Sequence, residues 1–111
     1  RHCIKLLQSK WLEQYPGENR VAFATANALD MRQFGEQQWD LVLDKFALDA
    51  IAARDAANGA RPHDAARCIL EVASLLSPGG IFILISWSSR AELLAPYFEV
   101  ETCGIPPLPG E

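Results

Sequence analysis

"LVLDKFALDA", residues 41–50, is the stretch on which the fold turns. Leu41, Val42 and Leu43 make a short aliphatic run of the kind that fills a buried strand. The run stops on Asp44 and Lys45, and "ALDAIAARDAA" (47–57) follows at once as an alanine-rich helix former. A strand that ends on two charges and turns directly into a helix reads as the start of a βα unit. In open α/β sheets, ligands bind outside the carboxyl ends of the strands, so polar residues collect where a hydrophobic strand stops. Three stops fit that description: "ATANALD" (24–30), "LDK" (43–45) and "ISWSS" (85–89).

Outward from this stretch, the same alternation continues. Pro62 suits a first helical turn, and a helix over about 63–76 places Ala66, Ile69, Leu70, Ala73 and Leu76 on one face. "SPGG" (77–80) stops it, and "IFILISW" (81–87) is a continuous apolar strand. A short helix near 90–96 and a strand "FEVETC" (98–103) follow, and "GIPPLPGE" (104–111) reads as a tail because proline lacks a ladder donor. Upstream, Ile4, Leu7, Trp11, Leu12 and Tyr15 form the apolar face of a helix over 2–14, ended by "PGEN" (16–19). "RVAFATA" (20–26) is a strand candidate before the one at 39–44. Strands alternating with helices predict a mostly parallel sheet covered on both faces, a three-layer α/β/α arrangement in a single domain of 111 residues.

Composition narrows the classes of function. Half of the residues are hydrophobic and 22% are charged, which is globular. A net charge of −4 with scattered Lys and Arg argues against a phosphate-tracking nucleic-acid surface. The longest apolar run, "IFILI" (81–85), is far shorter than the roughly 20 residues that span a bilayer. Cys3, Cys68 and Cys103 match neither a disulfide framework nor a zinc site and read as reduced thiols in a cytoplasmic setting. His2 and His63 lack metal-ligand spacing, and Ser86, Ser88 and Ser89 have no nucleophile elbow. Asp40 reads as an ordinary solvated charge at a strand start. Asp49, in a first helical turn, suits the helix dipole. Trp87 reads as a core or rim aromatic.

"WDLVLDKFALDAI" (39–51) followed by "ILEVASLLSPGGIFILISW" (69–87) resembles the second half of a class I S-adenosylmethionine-dependent methyltransferase. Within that class, "LDKFALDA" is similar to the "LDKGTLDA" of the group that methylates lysine on elongation factor 1-alpha. The resemblance runs over about residues 1–103, leaving 104–111 as a tail. It implies a Rossmann-like methyltransferase sheet that is truncated at its N-terminus and lacks the last strand. It also implies S-adenosyl-L-methionine as cofactor and a protein lysine as acceptor. Asn27 and Ala28 take the place of the family's adenine-reading "DA", with Asp30 as the alternative register, and Lys45 matches the lysine bordering the methyl donor. Asp44 is the carboxylate that would orient the acceptor amine or receive its proton. Phe46 and Ala47 depart from the family's Gly and Thr, and Phe at 46 does not favour positive φ. The family's Gly-rich loop and second acidic residue have no counterpart, so these 111 residues are expected to bind the cofactor weakly or not at all. The rivals are a methyltransferase-like interaction module without catalysis, and a nicotinamide-dependent Rossmann domain. The placement of Asn27 beside Lys45 rests on both being released by neighbouring parallel strands.

Overall fold

The computed structural model describes residues 2–17, 20–59 and 63–104, apart from the side chains of His2 and Cys3. Pro62, residues 18–19 and most of the expected tail (105–111) lie outside the described residues. In chain order the elements are helix α1 (His2–Gln14), a 3-10 turn (Arg32–Phe34), strand β1 (Trp39–Lys45), helices α2 (Ala47–Ala57) and α3 (His63–Leu75), strand β2 (Leu76–Ile85) and a single turn α4 (Ala91–Leu94). Among the described residues the chain is an α/β protein whose sheet has two parallel strands. A parallel pair needs a crossover, and α2 and α3 provide it.

Leu41↔Ile81 through Lys45↔Ile85 are paired in register, and Trp39 pairs with Leu76. Ser77–Gly80 are therefore looped out of the ladder opposite Asp40, a bulge inside β2 rather than a clean break before it. Its backbone explains both glycines. Gly79 has φ +81, open to glycine without strain, and a Cβ on Gly80 would lie 2.9 Å from the Ser77 carbonyl oxygen. The Ser77 hydroxyl pins the bulge by donating to Trp39 O (3.2 Å) and Asp40 Oδ1 (3.1 Å).

The core lies on one side of the sheet. Leu48 of α2 and Ala65, Cys68 and Ile69 of α3 form its buried centre, with Ala28, Leu29, Leu84, Leu93 and Phe98 packed against it. The buried face of α3 runs through Ala65, Cys68, Ile69, Val72 and Leu75. Of the expected face, Ile69 and Leu76 are buried, whereas Ala65, Cys68, Val72 and Leu75 take the buried places expected of Ala66, Leu70 and Ala73. Asp55 near the end of α2 is buried, and its carboxylate accepts from the N–H groups of Asp64 (3.3 Å) and Ala65 (3.0 Å), joining the two helices.

Three sequence expectations are corrected. Residues 20–26 and 98–103 carry no strand. Neither segment meets a sheet edge that would pair its backbone, so strand-forming residues alone make no strand there. Phe23 packs instead against Trp11 of α1 (centroids 6.4 Å apart), and Phe98 turns inward onto Phe82 (5.7 Å). Among the described residues the sheet is covered on one face only. Leu41, Leu43, Ile81 and Ile83 are between 44% and 62% exposed on the other, so two layers are present rather than three. No helix among the described residues is long and apolar enough to cross a membrane.

Candidate functional site at the strand ends

Both strands end together. The Phe46 N–H donates to Ile85 O at 3.0 Å, one step past the Lys45–Ile85 pair. Parallel pairing thus brings residues 44–49 against residues 85–90, although some 40 positions separate them.

Successive strand residues face opposite sides. Asp44 shares the helix side with Val42, whereas Lys45 shares the open side with Leu41 and Leu43. The two charges do not converge. The Asp44 carboxylate instead starts α2: Oδ1 accepts from Ala47 N–H (2.8 Å) and Oδ2 from Leu48 N–H (2.9 Å). Those amides have no partner inside the helix, so this is a capping arrangement.

Between Asp44 and the helix stands Phe46, with φ 66° and ψ 0°. This is the left-handed conformation, which costs a non-glycine residue about 1–2 kcal/mol. The sequence favours no such geometry at a phenylalanine. Two features hold it: the Asp44 carboxylate, which spans the turn to cap Ala47 and Leu48, and stacking of the Phe46 ring on Trp87, with centroids 4.8 Å apart and planes 12° apart. Trp87 remains 83% exposed.

Asp49 is the residue that sequence reasoning underrated. It sits in the first turn of α2, but its side chain joins that turn to the end of β2. Oδ1 accepts from the Ser86 hydroxyl and from Arg90 Nε (3.2 Å) and Nη2 (3.1 Å), and Oδ2 accepts from Trp87 N–H (2.8 Å). Burial opposes its charge, but the bonds from Ser86, Trp87 and Arg90 outweigh that and hold its carboxyl below the usual aspartate range. Beyond Trp87, a cleft of about 670 Å³ is lined by Ser89, Arg90, Glu92 and Leu93.

Asn27 lies in a turn, not at a strand end. Its Oδ1 accepts from Leu29 N–H (3.0 Å), and its carbonyl accepts from Asp30 N–H (3.0 Å). The loop is held against α3, since Glu71 accepts from Met31 N–H (2.7 Å) and Arg67 donates to Leu29 O (3.3 Å). Asp30, the alternative register, is gripped by Arg32 at 2.8 and 2.7 Å, and that hydrogen-bonded guanidinium lowers its carboxyl to about 2. Ala28 packs on the cluster that contains Leu48, whose N–H is capped by Asp44. The Asn27 turn and the end of β1 therefore border one core cluster on the helix side. They reach it through a loop held by α3, and no adjacent strand releases Asn27, which corrects the expected mode of placement. To meet a ligand there, Lys45 must reach round the strand end with its four-carbon stem.

Among the described residues, no group of three or more His, Cys, Asp and Glu could hold a metal ion. Burial, with the nearby charges of Asp44 and Glu71, pushes the Cys68 thiol up to about 11. The hub formed by Asp49 was hidden because its partners lie 37–41 positions away. The polar stop "ISWSSR" next to an apolar strand was the signal available, and strand register supplied the rest.

No protein-family model matches this chain, and no curated protein or solved structure matches it.

Proposed function

We propose that the protein takes part in S-adenosylmethionine-dependent methyl transfer to a protein lysine, in a cytoplasmic setting. The observation that carries this reading is the parallel β1–β2 pair joined through two helices. Its carboxyl ends gather Asp44, Lys45, Phe46, Asp49 and Ser86–Arg90 at the edge where α/β sheets place ligands.

The residues fit the cofactor at the purine end. The Asn27 side-chain oxygen has a second lone pair beyond the one used by Leu29, and its amide hydrogens remain as donors. Ala28 offers a small surface beside it. Lys45 borders the donor from the far side of the rim. When bound, S-adenosylmethionine would supply an electrophilic sulfonium methyl, passed to the amine nitrogen as its C–S bond breaks and S-adenosylhomocysteine leaves. The protein's work is alignment and exclusion of water. A lysine acceptor must first lose a proton, its ordinary pKa being about 10.4. Asp44 is the rim carboxylate proposed to orient that amine, through lone pairs that Ala47 and Leu48 leave open.

The test is a backbone-amide NMR titration of the chain with S-adenosylhomocysteine. Shifts confined to Asn27, Ala28 and residues 44–46, at millimolar concentrations, support the reading; their absence there, with shifts elsewhere, defeats it. A second reading, an interaction module without catalysis, draws on the commitment of both Asn27 and Asp44 to backbone amides of their own turns. No shift at any concentration, with the fold intact, favours it.

A further inference from the structure

We infer that the stacked Phe46–Trp87 pair is a recognition platform for a cationic amine, the ammonium end of a lysine side chain or its N-methylated form. This inference rests on the methyl-transfer reading above and names how the acceptor is held.

Three observations lead to it. Trp87 presents 83% of its surface to water, far more than a large aromatic retains when its role is packing. One indole face lies on Phe46 with planes 12° apart, which leaves the opposite face open. The pair is also fixed from two sides: Asp49 takes the Trp87 N–H, and Phe46 is held in a left-handed conformation directly after the Asp44–Lys45 strand end. A left-handed backbone at Phe46 and a half-buried carboxylate on the Trp87 backbone amide thus flank a flat, solvent-facing ring.

The chemistry of that ring selects the ligand. Aromatic faces carry negative quadrupole charge, so two rings stacked in parallel present a negative face outward. Tryptophan is the strongest side-chain partner for a cation. The surrounding charge does not oppose one: the Arg90 guanidinium is neutralised by Asp49 at 3.1 Å, and the chain carries −4. The amine's alkyl stem would lie along the ring edge while the charge sits over the face.

The test uses choline and its neutral isostere 3,3-dimethylbutan-1-ol. The readout is the Trp87 indole N–H resonance of the full chain, assigned by its loss in Trp87→Phe. Choline is expected to shift it saturably, with an affinity roughly two- to fivefold above that of the neutral analogue. Nα-acetyl-lysine methylamide should act at the same resonance. Trp87→Leu, which removes the platform together with its indole reporter, should also abolish the choline-induced shifts of the Phe46 and Ser88 backbone amides. Equal affinity for the isostere, no saturable shift at tens of millimolar choline, or a response to adenosine but not to choline would each overturn the inference. The S-adenosylhomocysteine titration reads the amides of Asn27 and Ala28 instead, so the platform and the cofactor site can fail separately.

Discussion

Replacing Asp49 with alanine tests how the strand ends are held together. The substitution leaves the Ser86 hydroxyl, the Trp87 N–H and the Arg90 guanidinium without their acceptor. Breaking a fully buried ion pair by removing one partner costs about 3–5 kcal/mol, and for this half-buried pair that is an upper range. The Asp49 side chain is only 11% exposed, but Arg90 at 24% can recover some water, which argues for the lower end. A loss of about 3 kcal/mol is therefore expected, a large share of the roughly 5–15 kcal/mol that stabilises a typical domain. Urea unfolding followed by far-UV circular dichroism measures it. Asp49→Asn keeps an acceptor oxygen and the shape, and should lose about half as much, since bonds to charged groups are roughly twice as strong as neutral ones. Acid supplies the sign. Because the folded carboxyl lies below its unfolded value of about 3.9, its stabilisation is complete above that pH and fades as pH falls through the folded value. The advantage of the wild type over Asp49→Asn should thus shrink from pH 7 toward pH 3. A cost for Asp49→Ala below about 0.5 kcal/mol, the size of an ordinary surface change, would refute the hub. So would an advantage that grows on acidification.

Four further outcomes are expected. Phe46→Gly should change stability by less than about 1 kcal/mol, since relief of the left-handed strain offsets loss of the Trp87 stack and added chain entropy; Phe46→Val should destabilise by about 2 kcal/mol or more, measured by the urea midpoint. Gly80→Ala should cost more than Gly79→Ala in thermal unfolding, because the first drives a Cβ onto the Ser77 carbonyl and the second meets open space and only backbone strain. Leu48→Ala should lose about 2–5 kcal/mol and Leu43→Ala under about 0.5 by chemical denaturation, the first being fully buried and the second 62% exposed. Iodoacetamide mapped by mass spectrometry should label exposed Cys103 promptly and Cys68 only on unfolding, since burial and a thiol pKa of about 11 both withhold the thiolate.

What the sequence determined by itself was local. The apolar runs at 41–43 and 81–85 and the alanine-rich segment at 47–57 specify their elements through side-chain period, and β1 and α2 stand where those signals put them, whereas β2 starts at Leu76 and takes the Pro-Gly-Gly segment in as a bulge. The clustering of polar residues at the strand ends was also readable, because hydrophobic strands must finish at such residues. What only the tertiary structure decided was everything that depends on a distant partner. Residues 20–26 and 98–103 have strand-like composition, but a strand exists only when another backbone pairs with it, and no paired edge meets them. Asp44 and Lys45 are neighbours in the chain, yet the alternation of the pleat sends them to opposite sides of the sheet. Asp49 reads as a dipole-favouring carboxylate until the parallel register brings Ser86, Trp87 and Arg90 to it. Periodicity records which way each side chain points along its own element, whereas register and packing decide what it meets there.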